Sequence, residues 1–514
     1  MYRTISLPLH KLPSCKYSLA SIILFFCAGC TSFSHKPITG DIASNEAFQE
    51  CQLFFAKLDQ AVQQSGVQDA FAARIKHYPW LRVNRFLASY SKHDLDKNEF
   101  NAWIDRLQQL DLSARNVENK NLSSLTRESL GFNNSAELNA ATSNCSTVMR
   151  NNNFHNSENF RKAIKVPTEY QSWKRVVGVY PLSSIGVFIG ANKLKKEIKT
   201  TFRENADQEL ISQEFANKVK VYAPPSKHQL LLTQKQTAEI LLSSAQNSLG
   251  IPEPNTEQRD KLFNTFAPVW AVETHTKDDL IGQPTWRNNK SVVNTNSAKV
   301  YRLISHTRYE NKVLLQLNYI VWFPARTLTG RFDILGGHLD GITWRVTLAE
   351  DGSPLLYDSM HNCGCYHKFY PSDRLEQKPK QGYEEALFVP TTAPKVNAGE
   401  RIVLKVANLT HYIEAIKSYQ DLHITKATNK RYAFDDYINL QTITLTNGNT
   451  RSLFRPDGII DGTERLERWI LWPMGIPEPG ALRQWGHHAT AFVGQRHFDD
   501  PNLIERYFEW KDSK

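Results

Sequence analysis

The stretch Val313-Leu314-Leu315-Gln316-Leu317-Asn318-Tyr319-Ile320-Val321-Trp322-Phe323 decides the fold class. Val313, Leu315, Leu317, Tyr319, Val321 and Phe323 alternate strictly. Successive side chains leave a strand on opposite faces, so this spacing predicts a strand with one fully apolar face. Downstream, Ile342, Trp344, Val346 and Leu348 repeat the two-residue period. Asp351-Gly352 then supplies a turn, and Leu355, Leu356 and Tyr357 begin a returning strand, so a hairpin is expected. A second turn signal, Asn447-Gly448-Asn449, separates Ile443 and Leu445 from Leu453 and Phe454. Residues 267–514 are therefore expected to form a mainly antiparallel β domain, a sandwich or a barrel.

Upstream the period changes. Ala47, Phe48, Cys51, Phe54, Phe55, Leu58 and Val62 recur at three and four residues, which places them on one helix face. Phe100, Trp103, Ile104, Leu107 and Leu110 repeat the pattern, with Pro79 expected to break or bend the chain between. Residues 30–111 thus read as a helical N-terminal region. Residues 112–160 are rich in Asn and Ser and read as a linker, with one short helix through Leu138, Ala141, Cys145 and Met149. Residues 161–266 read as a mainly helical connection, in which Thr233 and Gln236 have the spacing of a capping box. The fold class is α+β, with helices preceding strands. Inside the connection, residues 176–192 are uncharged and interrupted by Gly178, Pro181, Gly186 and Gly190. Lys174 and Arg175 precede this segment, and Lys193, Lys195, Lys196 and Lys199 follow it. A segment touching a membrane and a buried helix or loop are the competing readings.

The N-terminus carries Arg3, Lys11 and Lys16 and no acid, followed by an apolar run through Leu19, Ile22, Ile23, Leu24, Phe25 and Phe26, then Cys27-Ala28-Gly29-Cys30. This resembles the signal segment and lipobox of bacterial lipoprotein precursors, with Cys27 where Leu, Val or Ile is usual. The resemblance covers residues 1–30. It implies a signal peptide over 1–29, cleavage before Cys30, and a lipid on Cys30 that makes the membrane a partner. Thr31, standing where an Asp retains such proteins at the inner membrane, implies the outer membrane and a periplasmic face. The alternative is an uncleaved anchor, but the strongly apolar run is only about a dozen residues where a spanning helix needs roughly 20.

The whole chain has 62 basic and 52 acidic residues, a formal charge of +10, and losing 1–29 would leave +7. No segment clusters Lys and Arg as nucleic-acid binding requires, so no nucleic-acid partner is expected. Neither a Walker loop nor a dinucleotide fingerprint is present, so no nucleotide is expected either. Of seven cysteines, Cys51, Cys145, Cys363 and Cys365 follow Cys30. In the oxidising space that the lipobox implies, Cys51 and Cys145, both on apolar helix faces, are expected to pair.

The densest candidate for chemistry is His361-Asn362-Cys363-Gly364-Cys365-Tyr366-His367. On a straight strand its four ligand-type side chains would face one way, with the histidines roughly 20 Å apart, so the chain must bend, and Gly364 is where it can. One reading is thiol–disulfide exchange at Cys363 and Cys365. A second is a zinc or copper site, metal-binding or enzymatic, using His361, Cys363, Cys365 and His367, completed by His338, Asp340, His487 or His488. The third is structural. Near the C-terminus, Trp469, Trp472 and Trp485 interleave with Arg and His, either as a platform for an envelope glycan or as core. The favoured reading is a binding or structural module of the cell envelope that contacts a glycan or protein, with the metal site second.

Overall fold

The structure is a computed structural model that describes residues 46–151, 158–211, 218–225, 231–379, 382 and 384–511. The signal segment and Cys30 lie outside the described residues. The described residues all belong to one compact unit.

Helix α1 (Glu46–Ser65) buries Phe48, Cys51, Phe55, Leu58 and Val62, the face its spacing foretold. Helix α2 (Lys97–Asn121) starts at a capping box made by Asp96 and Glu99. Helix α3 (Ser135–Asn151) packs against both. The disulfide between Cys51 and Cys145 joins α1 to α3. Between α1 and α2 the helical path is broken at Pro79, as expected, by a hairpin. Pro79 lies in the strand Tyr78–Val83, which pairs with Ala73–Ile75. Within that strand Arg82 is fully buried, with Nη2 2.8 Å from both carboxylate oxygens of Glu118 and Nε 3.1 Å from Asp111 Oδ1.

Much of the stretch read as a linker is helical, and side-chain amides pair between its helices. Asn119 Nδ2 donates to Asn139 Oδ1 at 2.8 Å, and Asn139 Nδ2 donates to Asn116 Oδ1 at 2.8 Å. Polar side chains that pair across a helix interface no longer compete with their own backbone.

Two sheets follow. Strands β1 (Val219–Ala223), which lies within the mainly helical connecting region, and β2 (Val269–Glu273) belong to the smaller one. The larger sheet opens with β3 (Lys299–Tyr309), β4 (Lys312–Arg326), β5 (Gly337–Leu348), β6 (Pro354–His361) and β7 (Lys368–Pro371). Strands β8 (Glu400–Val406), β9 (Ile413–Gln420) and β10 (Lys430–Arg431) return to the smaller sheet, and β11 (Ala433–Asp436) closes the larger. Spatial orders are β7-β6-β5-β4-β3-β11 and β9-β8-β2-β1-β10. Pairing is mainly antiparallel, with β8–β2, β10–β1 and β11–β3 parallel. Neither sheet closes into a barrel among the described residues.

The sheets share one core. Leu315, Leu317, Tyr319 and Val321 of β4 and Trp344 and Val346 of β5 join one cluster with Trp270, Val272, Leu404 and Val406. This is the apolar face read from the alternation. The opposite face is covered too, by the C-terminal segment through Tyr437, Leu440, Leu482, Trp485 and Phe498. Polar side chains on that face are paired rather than solvated: Gln316 Nε2 donates to Thr347 Oγ1 at 3.0 Å, and Asn318 Nδ2 donates to the Leu303 carbonyl at 2.9 Å.

The uncharged segment forms most of the first half of helix α4 (Tyr180–Glu204). Pro181 sits in its first turn, where no helical hydrogen bond is lost. Gly186 and Gly190 are helical.

Candidate functional site

The His-x-Cys-x-Cys-x-His segment begins on the last residue of β6, His361, and from Asn362 to His367 is the connection to β7, not a strand. Gly364 N–H donates to the His361 carbonyl at 2.7 Å, and His361 N–H donates to the Cys365 carbonyl at 3.0 Å, which closes a tight turn. Gly364 has φ +92°, and a Cβ there would lie 2.5 Å from the Ala489 carbonyl oxygen, so only glycine fits. The bend foreseen at Gly364 is real, but it sends the two histidines to different carboxylates. His361 Nδ1 lies 3.4 Å from Asp340 Oδ1, while His367 Nε2 lies 2.8 Å from Asp358 Oδ2. Asp358 is clamped in turn by Arg345 through contacts of 2.8 and 2.5 Å.

The remaining metal candidates are also engaged separately. His338 Nε2 lies 2.8 Å from the Ser291 carbonyl oxygen. His487 places Nδ1 2.8 Å from Glu169 Oε1 and Nε2 2.7 Å from the Ala70 carbonyl oxygen. His488 Nε2 lies 3.2 Å from the Asn362 carbonyl oxygen. Among the described residues, no group of three or more His, Cys, Asp or Glu is placed to hold a metal ion. The expected zinc or copper cluster at His361, Cys363, Cys365, His367, His338, Asp340, His487 and His488 is therefore not assembled: carboxylates and main-chain carbonyls have taken the imidazoles one by one.

In its place is a buried file that joins two of the expected residues, Asp340 and His361, to His411 and Asp279, which the spacing did not reveal. Asp340 Oδ2 lies 2.8 Å from His411 Nδ1, and His411 Nε2 lies 3.6 Å from Asp279 Oδ1. The order is Asp279, His411, Asp340, His361. Burial alone would neutralise these groups, but they oppose it: the two carboxylates raise the pKa of His411, and His361 and His411 hold Asp340 well below the usual carboxylate range. His361 is lowered by burial, against the pull of Asp340. His411 stands in Leu-Thr-His-Tyr, with no patterned neighbour to mark it.

The two thiols open onto a cavity of about 560 Å³. One wall is α4, through Gly186, Val187, Gly190, Ala191 and Leu194. The opposite wall is the Cys-Gly-Cys turn with Ala489 and Phe492, and Ile334 and Ile470 are at another side. Polar groups are few. Lys195 Nζ lies 2.8 Å from Glu385 Oε1, and burial pushes the Glu467 carboxyl up to about 7. Cys363 and Cys365 are free and half-buried, with the Cys365 N–H 3.3 Å from Cys363 Sγ. The neighbouring Cys363 and burial together push the Cys365 thiol well above its ordinary value. A thiol held in its protonated form is a poor nucleophile.

The aromatic run near the C-terminus divides. Trp485 is core, edge-to-face with Phe498 at 5.6 Å between ring centroids. Trp469 is 68% exposed.

No family model matches the chain, and no curated protein and no solved structure matches it.

Proposed function

We propose that this chain is a lipid-anchored envelope protein, held through Cys30 at the outer membrane with its body facing the periplasm, and that it binds an apolar, chain-like ligand in the cavity beside α4. The observation that carries the binding reading is the composition of that wall. Gly186 and Gly190 lie mid-helix, where each glycine costs about 1 kcal/mol relative to alanine. Nothing lies within 4 Å of a Cβ built at either position, so close packing does not require them. They keep the wall thin and the space open. A cavity of about 560 Å³ with mostly aliphatic walls and a few polar groups is within the size and chemistry of small-molecule sites. An acyl chain suits it, and a membrane-held protein meets acyl chains in its own bilayer.

Two measurements test this reading. A chain starting at Ile38, exported without an anchor, should take up one equivalent of a fluorescent fatty acid, and Ala191→Trp should abolish uptake. Failure of the unaltered chain to bind would end the cavity reading. The full chain should incorporate labelled fatty acid covalently and lose the label in Cys30→Ala. An unlabelled full chain would end the anchor reading.

A further inference from the structure

Over the first half of α4 the outside is apolar, like the inside. Leu182 and Ile189 are 68% and 64% exposed and project away from the cavity. The short helix Ser172–Val177 adds Trp173 and Val176, the helix Arg468–Leu471 adds Trp469, and the 328–334 loop adds Phe332, which is 87% exposed. Among the described residues, 19 large hydrophobic side chains are exposed, and 13 of them fall within 173–189, 328–334 and 466–470. Isolated exposed hydrophobics are ordinary, but such concentration marks a contact surface.

These segments form one rim. The Gln171 N–H donates to the Gly475 carbonyl at 2.7 Å, and a Cβ on Gly178 would meet Pro473 Cβ at 2.5 Å. The Glu467 N–H donates to the Ile334 carbonyl at 3.1 Å, which brings the 328–334 loop to the same edge. The three segments also line the cavity, through Val187, Ile334 and Ile470, so apolar surface runs from the outside over the rim and inward.

We propose that this rim docks onto an anionic phospholipid bilayer, with α4 lying in the headgroup region and the cavity opening toward the acyl chains. Charge selects that occupant. Residues 172–204 hold seven basic and two acidic side chains, with none of either between 176 and 192. Lys193, Lys196, Lys199 and Arg203 are exposed on the following turns of α4. Apolar residues followed by Lys and Arg match the layers of an anionic interface. A second copy would bring the same positive charge to the contact and repel it. No helix among the described residues is long and apolar enough to cross a membrane, so the rim rests in the interface rather than spanning it. The proposal deepens the cavity reading, for which it provides the route of entry.

The test uses the full lipidated chain reconstituted into vesicles of brominated phosphatidylglycerol, with tryptophan fluorescence as the readout. Because every variant keeps its anchor, differences report contact by the rim. Docking gives quenching relative to unbrominated vesicles, with most of it lost in Trp173→Phe/Trp469→Phe and in Leu182→Glu/Ile189→Glu, and less of it on brominated phosphatidylcholine. Equal quenching in the wild type and both variants overturns the proposal. So does absence of quenching, including the case in which the chain is a dimer in detergent and this face is covered by the second copy. Fatty-acid uptake is measured in parallel. Leu182→Glu/Ile189→Glu should retain uptake of fatty acid supplied from solution, which bypasses the bilayer route, while losing quenching. A wild type that is quenched but takes up no fatty acid leaves docking standing and removes the cavity reading.

Discussion

Asp340 holds His411 by a 2.8 Å contact between Oδ2 and Nδ1, while the His411 ring stacks on Phe323 at 3.9 Å between centroids with 5° between planes. Neither residue has more than a few per cent of its surface exposed. The contact crosses from β5 to the turn between β8 and β9, so it fastens the larger sheet to the smaller. His411 has a raised pKa, so its stabilisation is complete below its unfolded value of 6.5 and is lost as pH rises through the folded value. Asp340 has a depressed pKa, so its contribution is complete above its unfolded value of 3.8 and is lost as pH falls through the folded value. The pair therefore stabilises most between those two unfolded values. Asp340→Ala should cost about 1.5–3 kcal/mol in urea unfolding at pH 5, because it removes the hydrogen-bonded carboxylate from the buried His411 and leaves that ring only Asp279, 3.6 Å from Nε2. The difference from wild type should shrink at pH 9. A constant difference across that range would contradict a charged His411.

The disulfide between Cys51 and Cys145 encloses a sequence separation of 94 residues. A closed loop of that length removes enough freedom from the unfolded chain to be worth about 4–5 kcal/mol in the chain-entropy model. Cys51→Ser/Cys145→Ser should lower the denaturation midpoint accordingly. In the oxidised protein, unfolding without reductant should expose Cys363 and Cys365 to thiol reagents but not Cys51 or Cys145.

Gly190 offers a test in which the sign matters. With open space around a Cβ at that position, Gly190→Ala should raise stability by up to about 1 kcal/mol through helix propensity, with ligand uptake intact. Gly190→Trp should abolish uptake by filling the space. Loss of stability in the alanine variant would mean that the wall is packed, and the cavity assignment would fall.

Cys363 and Cys365 report on occupancy. Their half-buried positions on the cavity wall and the upward shift of Cys365 should make them react slowly with an aromatic disulfide reagent at pH 8 in the native protein and quickly after unfolding. A saturating fatty acid should slow the native reaction further. Fast native labelling, unaffected by ligand, would place the thiols outside the ligand's reach and revive exchange chemistry for them.

Much of the architecture was legible in the chain, and the reason is local. Alternation from Val313 to Phe323, the turn at Asp351-Gly352 and the face of α1 each concern one element and its nearest neighbour. The pairing of Cys51 with Cys145 followed because each already pointed into a core. The stretch 112–160 misled because composition does not say whether an Asn amide will find a partner on another helix, as Asn119 and Asn139 do.

By itself, then, the sequence determined the strongly periodic elements, the strands through 313–323 and 342–348 and the helix through 47–62, which face of each is apolar, and where Gly364 allows a turn, since backbone sterics and side-chain periodicity act over a few residues. Only the tertiary structure decided what covers the second face of the larger sheet, which carboxylate receives each imidazole, and that α4 stands off from the Cys-Gly-Cys turn to leave a cavity. Those outcomes depend on the path of segments far apart in the chain: Asp340 meets His411 across 71 residues, and a spacing rule carries no information at that range.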